Sequence, residues 1–431
     1  MQIFTKIHAI RSLAALSMIG FIATAEESWP GWGGPQGDFA VPGAIITDSF
    51  PADGPKKLWS RELTGGYSSI AANDGIAIVL GRSDDEEIVL ALDLATGKTK
   101  WEYKYAAPVP KTELTEEQKN DPNRQPGEKE YIADFGFGPN ATPLIADNRI
   151  VSIGYMGDMH CFDRDGQVRW KHDFIDDYGM KFLRFGYSAS PIHYKDTVIA
   201  LVGGEGHSVV AFDLASGDVR WHKHDWAASY GSPAIFNIDG RDVLVSLVDG
   251  QVIALNPADG ELLWSMDYSN QYGSYIATPI ACGNNTIYIG TAGKDGSVLL
   301  DFTWQGDKLD AKQVWTSKHS MAHQNAVRLD GHLLTSRMQP KSLVMLNLSD
   351  GEFGWYSRDM GFCNLVRAGE KIISLQDDGV LRILRPKDDG VEVAAEAKLL
   401  GDPSWTPPTL VGTTLLIRDR NTVMALDLSA S

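Results

Sequence analysis

The chain has 431 residues, 43% of them hydrophobic, and a formal net charge of −17. That length and apolar content supply a large core. The acidic balance excludes nucleic acid and anionic membrane surfaces as partners, because both select for basic patches.

In chain order, Lys6, His8 and Arg11 give a mildly basic start, followed by the apolar run LAALSMIGFIATA (13–25). That run is short for a membrane span. Ala23-Thr24-Ala25 puts small residues at −3 and −1 before Glu26, the pattern that ends a secretory signal peptide. Cleavage near Ala25 is expected, placing the mature chain in the periplasm or outside the cell. Lys6 and Arg11 leave with residues 1–25 and no acidic residue does, so the charge goes from −17 to −19. No later apolar run is long enough for a transmembrane segment, and no cysteine stands at the cleavage point to carry a lipid anchor. Residues 26–55 form an N-terminal extension containing WPGWGGPQGDF (29–39).

KKLWSREL (56–63) then reads as a strand with no partner nearby. After it the chain repeats itself. ALDLATGKTKWEY (91–103) returns as AFDLASGDVRW (211–221), ALNPADGELLW (254–264) and, shortened, HCFDRDGQVRW (160–170). Strand-ending tryptophans fall at Trp59, Trp101, Trp170, Trp221, Trp264, Trp315 and Trp355, with gaps of 42, 69, 51, 43, 51 and 40 residues. Each interval holds an aromatic loop, often Thr-Pro or Ser-Pro, then four short β-branched segments separated by Asp, Asn or Gly turns. Four strands in about 40–50 residues, repeated, is a propeller blade. Asp93, Asp163, Asp213, Asn256 and Asn347 end third strands, where a short polar side chain bonds turn amides. Gly97, Gly166, Gly217, Gly260 and Gly351 supply the positive φ of the turn. The tryptophans are expected between neighbouring blades.

After Trp355, residues 364–397 form a unit without tryptophan in its fourth strand, ending near Val393. Residues 404–431 give three strands and stop at MALDLSAS. The orphan strand carrying Trp59 completes this last blade. The expected fold is therefore all-β: an eight-bladed propeller over 56–431, four antiparallel strands per blade, closed by the N-terminal strand.

The A-x-D-x-x-T/S-G-x-x-x-W phrase of ALDLATGKTKW and AFDLASGDVRW resembles the tryptophan-docking repeat of the PQQ-like quinoprotein propellers. WPGWGGPQGDF resembles the opening of exported PQQ-like repeat proteins of environmental bacteria. The resemblance spans about 29–431 and implies the eight-bladed fold. It also implies two possible occupations, as the superfamily contains quinone-dependent alcohol dehydrogenases and an outer-membrane assembly factor. The dehydrogenases hold PQQ against a disulfide of adjacent cysteines, with calcium set by Glu, Asn and Asp. Here Cys161, Cys282 and Cys363 stand apart, so PQQ with calcium is an open cofactor without that support; the cysteines themselves read as buried small side chains.

Strand order places the site. Outer-to-inner crossovers share one face with the second-to-third strand loops, and the Asp…Gly turns lie on the other. Two insertions, 106–138 and 171–187, rise from the crossover face as a lid or wall. Tyr187, Tyr230, Tyr275, His323, Asn325 and Trp405 enter inner strands there and should ring the channel mouth. Arg82, Arg337 and Arg418 occupy comparable loop positions, and three arginines aimed at one opening would suit a carboxylate, sulfate or acidic sugar; pairing with Asp84 or Asp419 is the plainer alternative. His222 and His224 alternate on a strand, with His172-Asp173 in a related place, but zinc needs three or four converging ligands. KDG (294–296) and DDG (377–379) have oxygen ligands without an EF-hand spacing. No GxSxG, P-loop or HExxH occurs.

Three functions remain open on sequence. The first is an exported binding or interaction scaffold, expected as a monomer, taking a small-molecule, carbohydrate or protein ligand at one propeller face. The second is a periplasmic PQQ-dependent alcohol or sugar dehydrogenase. The third is a polysaccharide-active hydrolase or lyase, which needs two facing carboxyl groups.

Overall fold

The computed structural model describes residues 28–109, 136–269, 275–283, 285–290, 296–321, 323–401 and 403–430. The signal-peptide segment 1–25 and most of the first insertion therefore lie outside the described residues. The described chain folds into eight sheets. Blades 1 to 7 run through residues 71–106, 144–173, 192–223, 234–267, 280–317, 326–357 and 363–398. Blade 8 takes three strands from 409–427, and its fourth is Lys56–Glu62, antiparallel to Thr422–Asp427. The ring closes as the sequence implies.

One geometric device recurs in every blade. The ladder between third and fourth strands slips by one residue beside the tryptophan position, a β-bulge that re-aims the side chain. Across that ladder Trp101 faces Ala91, Trp170 faces Cys161 and Trp59 faces Ala425. In blade 7 the same register pairs Ala395 with Ile383, so the missing tryptophan's place is Ala395 rather than near Val393.

Six of the seven rings dock in the turn of the following blade, and Trp264 packs on Phe302 instead. Trp59 Nε1 donates to Leu94 O at 2.9 Å, Trp101 Nε1 to Arg164 O at 2.9 Å, and Trp315 Nε1 to Leu348 O at 2.8 Å. Gly97 shows why the turn needs glycine twice over. Its φ is +67°, and a Cβ there would lie 2.5 Å from the Trp59 ring. The Asp93 side chain accepts from Thr96 N, holding the turn shut.

Around the axis a second set of bonds ties inner strands together. Thr142, Ser190 and Ser232 each precede a proline, which biases them to extended backbone. Each hydroxyl accepts a neighbour's amide: Ser69 N to Thr142 Oγ1, Thr142 N to Ser190 Oγ, Ser190 N to Ser232 Oγ, at 3.2, 2.9 and 2.9 Å. Asn325 and Asn364 do the same work in blades 6 and 7, bonding Leu365 and Trp405 backbone. These groups are buried. Ser190→Ala strands the Thr142 amide, so the urea midpoint should report a loss of about 1–3 kcal/mol, and Ser190→Thr should restore most of it.

The extension is part of the ring rather than an appendage. Trp29 is 1% exposed and exchanges backbone hydrogen bonds with Ala72 of blade 1, while Pro30 O accepts from Ile145 N of blade 2. The chain then crosses the axis, for Trp32 Nε1 donates to Thr278 Oγ1 of blade 5 at 2.8 Å. It turns back through a glycine-rich bend, where Gly34, at φ +78°, packs so close that a Cβ would lie 2.8 Å from the Trp29 ring. Ala40–Val41 runs parallel to Cys363–Ala368, adding a fifth strand to blade 7. Thr47 N finally reaches Leu428 O of blade 8.

Candidate functional site

The crossing segment closes one end of the axial channel and leaves a blind cup of about 540 Å³. Its floor is Trp32 and Phe39, packed edge to face at 5.2 Å. All eight crossovers contribute to its wall, among them Tyr67, Asn140, Ser188, Tyr230, Thr278, His323, Phe362 and Trp405. The cup lies on the crossover face, where the strand order placed it.

Four of the candidate residues, Tyr230, His323, Asn325 and Trp405, line this cup. His323 packs between Phe362 at 5.0 Å and Trp405 at 5.1 Å, and its enclosed Nε2 has no partner among the described residues. Burial lowers its pKa to about 4, so the ring is neutral at pH 7. Asn325 spends its side chain on the ladder. Tyr187 and Tyr275 are turned away and buried between blades; the Tyr187 hydroxyl donates to Leu201 O at 3.0 Å.

The three arginines do not converge on the opening. Arg418 is fully buried and staples blade 8 to blade 1, donating to Gly66 O, Leu80 O and Ser68 O. Its pKa falls to about 10, chiefly through burial. Arg82 is buried and pairs with Glu87 at 3.0 Å, while also donating to Ala107 O. Arg337 is half-buried with its guanidinium 5.4 Å over the Phe353 ring. The physical reason is general: a loop at a blade edge leaves carbonyls unpaired, and a five-donor fork satisfies several at once. The neighbouring acid for Arg82 is Glu87 rather than Asp84, and Arg418 meets the Asp419 carbonyl rather than its carboxylate.

Glu87 is the residue that sequence reasoning passed over. It accepts from Arg82, from the Tyr105 hydroxyl at 2.6 Å and from the Tyr155 amide at 3.0 Å. Tyr155 lines the cup, so this cluster fixes part of its wall. Burial, the largest influence, raises the Glu87 pKa. The only available signal was a second glutamate at the start of an apolar strand, EEIVLALD.

The second insertion does build wall: Phe174–Tyr178 forms a helix capped by the Asp173 side chain, and Phe185 beyond it lines the cup. Of the first insertion only its ends are described, with Gly136 and Gly138 on the lining. His172, His222 and His224 each bond a separate carbonyl, of Gly217, Gly206 and Gly260. Asp377 and Asp378 pair with Lys341 and Lys398. Lys294 and Asp295 lie outside the described residues. Among the described residues no group of three metal-ligating side chains occurs.

PQQ would bring three carboxylates and a quinone, which call for several cations and, with calcium, clustered oxygen ligands. The described lining offers one cation, Lys341, already paired with Asp377, and the three cysteines are buried, unpaired and on different blades. These residues do not fit that group.

A family model described as outer membrane protein assembly factor BamB matches residues 112–357. The outer membrane protein assembly factor BamB of Burkholderia pseudomallei (strain K96243) is 26% identical over 299 residues, covering 62% of this chain and 71% of its own length. Among solved structures, BamB from Moraxella catarrhalis has a TM-score of 0.60 at 18% identity, over 86% of this chain and 99% of that one. Quinohemoprotein alcohol dehydrogenase ADHIIG from Pseudomonas putida HK5 has a TM-score of 0.50 at 13% identity, over 94% and 81%. At these identities the two structures speak for the fold alone.

Proposed function

This chain belongs to the family described as outer membrane protein assembly factor BamB, within the PQQ-like quinoprotein propellers, and from that premise we propose that it is an exported interaction scaffold that receives its partner on the crossover face. The observation that carries the reading is the blind cup. One end of the axis is closed by the chain's own N-terminal segment, and the other opens among aromatic side chains. The Burkholderia pseudomallei relative is an outer membrane protein assembly factor by name, which supports a protein as the partner at the rim. The described lining holds one carboxylate, Asp377, where hydrolysis of a polysaccharide would need two. Export follows from the leader sequence, and no helix among the described residues is long and apolar enough to cross a membrane.

Site-specific photocrosslinking tests this. Met338 is exposed at the rim, and Ile45 is 76% exposed on the extension, beside Ile46 whose carbonyl meets Lys371 in a blade 7 turn. With a photoreactive residue at 338, the purified chain should form adducts with a urea-diluted outer-membrane β-barrel protein. The same residue at 45 should give few. Adducts at 45 and none at 338 would reverse the assignment of faces.

A further inference from the structure

The cup's chemistry narrows what fits inside it. Tyr67 and Trp405 stack at 5.3 Å and 27°, each from a different blade. Phe185 and Tyr230 pack at 6.0 Å on another part of the wall, above the Trp32–Phe39 floor. Aromatic faces therefore surround the space on several sides.

Several polar side chains between them are already engaged, and the buried His323 Nε2 is the exception. Asn140 Nδ2 donates to Phe185 O and Ser188 Oγ, Thr278 Oγ1 accepts from Trp32, and Gln324 Nε2 donates to Ser336 O. A saccharide presents a hydroxyl on nearly every carbon, and each one loses its water on entering. A mostly aromatic wall on which Asn140, Thr278 and Gln324 are already bonded, with the His323 Nε2 to spare, replaces only a small part of that water. An anion fares no better, because the described lining's one lysine is neutralised by Asp377. A flat apolar ring, in contrast, loses little on leaving water and gains stacking on each side. The volume is in the range that small-molecule sites occupy.

We infer that the axial cup binds an uncharged, mostly apolar small molecule built on a flat ring system. This rests on the reading that the crossover face is the binding face, and adds an occupant distinct from the protein partner at the rim. Ile276 also lines the cup, so enlarging it fills the space without touching the aromatic walls.

The test uses the full chain and N-phenyl-1-naphthylamine, a neutral apolar fluorophore whose emission rises out of water. Saturable binding at one site per chain is expected. Ile276→Trp should weaken it about tenfold or more by occupying the space, and Trp405→Ala about fivefold by removing a stacking face. Tyr356→Ala, at a position 60% exposed on an outer strand, should leave binding unchanged. Circular dichroism and thermal melts confirm that each variant is folded. Equal binding by Ile276→Trp would place the probe elsewhere and overturn the proposal. Calorimetry with maltopentaose, and with PQQ plus Ca²⁺, forms the opposing arm: binding of either that Ile276→Trp abolishes, with none of the naphthylamine, overturns the ligand class and keeps the cup. Loss of all three probes while crosslinks persist at 338 removes the small-molecule site and leaves the scaffold reading standing.

Discussion

Replacing Trp59 by alanine is expected to destabilise the protein by about 3–5 kcal/mol, read as a shift of the urea midpoint. The ring is 9% exposed, packs against the Gly97 turn of blade 1, and donates to Leu94 O. Truncation removes that burial, opens a cavity between blades 8 and 1, and leaves a carbonyl without its donor. Trp59 also belongs to the strand that completes blade 8, so the same change weakens the contact that closes the ring. Trp264→Ala is the internal comparison. Its ring is half-buried and packs edge-on to Phe302 at 5.2 Å, within an uninterrupted stretch of chain. Its cost should be smaller. Equal losses at both sites would mean that closure adds nothing to the value of the ring.

Arg82→Met should be of similar size, about 3–5 kcal/mol at pH 8, because it leaves a buried carboxylate without its cation. Both side chains of this pair are nearly inaccessible, at 5% and 2%. The dependence on pH has a definite sign. Burial raises the Glu87 pKa in the folded state, and Arg82 opposes that rise. Without the guanidinium the folded value climbs further above the unfolded value of about 4.3. A carboxyl group whose folded pKa is raised binds more protons folded than unfolded, so stability falls as pH rises through the folded value. The deficit of Arg82→Met should therefore be largest at pH 8 and shrink toward pH 5. Glu87→Gln added to Arg82→Met should flatten that slope. A deficit independent of pH would mean that the lost Ala107 bond, not the charge, dominates.

These two sites also mark what the sequence discloses. Trp59 is legible because the docking device is local: a glycine, a short polar residue and a tryptophan at fixed spacing, written once per blade. Repetition separates it from chance, and even the absent eighth copy points to the strand that replaces it. The hydroxyl ladder was half-written in the Thr-Pro and Ser-Pro pairs, whose partners lie a blade away. The arginines are a different case. They were expected in the second-to-third strand loops and lie instead at the ends of the second strands, and direction is decided by which carbonyls the neighbouring blade leaves unpaired, which sequence does not show. WPGWGGPQGDF has no periodicity, so its route across the axis could not be read from it. The cup's floor was therefore invisible, while four of the nine residues expected on its walls line it.

That route has a consequence for how the molecule is made. The first described residues are held by blades 1, 2 and 5, then by blade 7 and the last strand of blade 8. Lys56 pairs with Asp427, 371 positions later. Contacts of that separation form slowly, so the Lys56–Glu62 strand stays without its partner until blade 8 has formed. Ring closure therefore guards two edges at once: without the Thr422–Asp427 strand, Lys56–Glu62 and one edge of Thr414–Arg418 would both stand unpaired, and exposed edges of that kind are what invite aggregation.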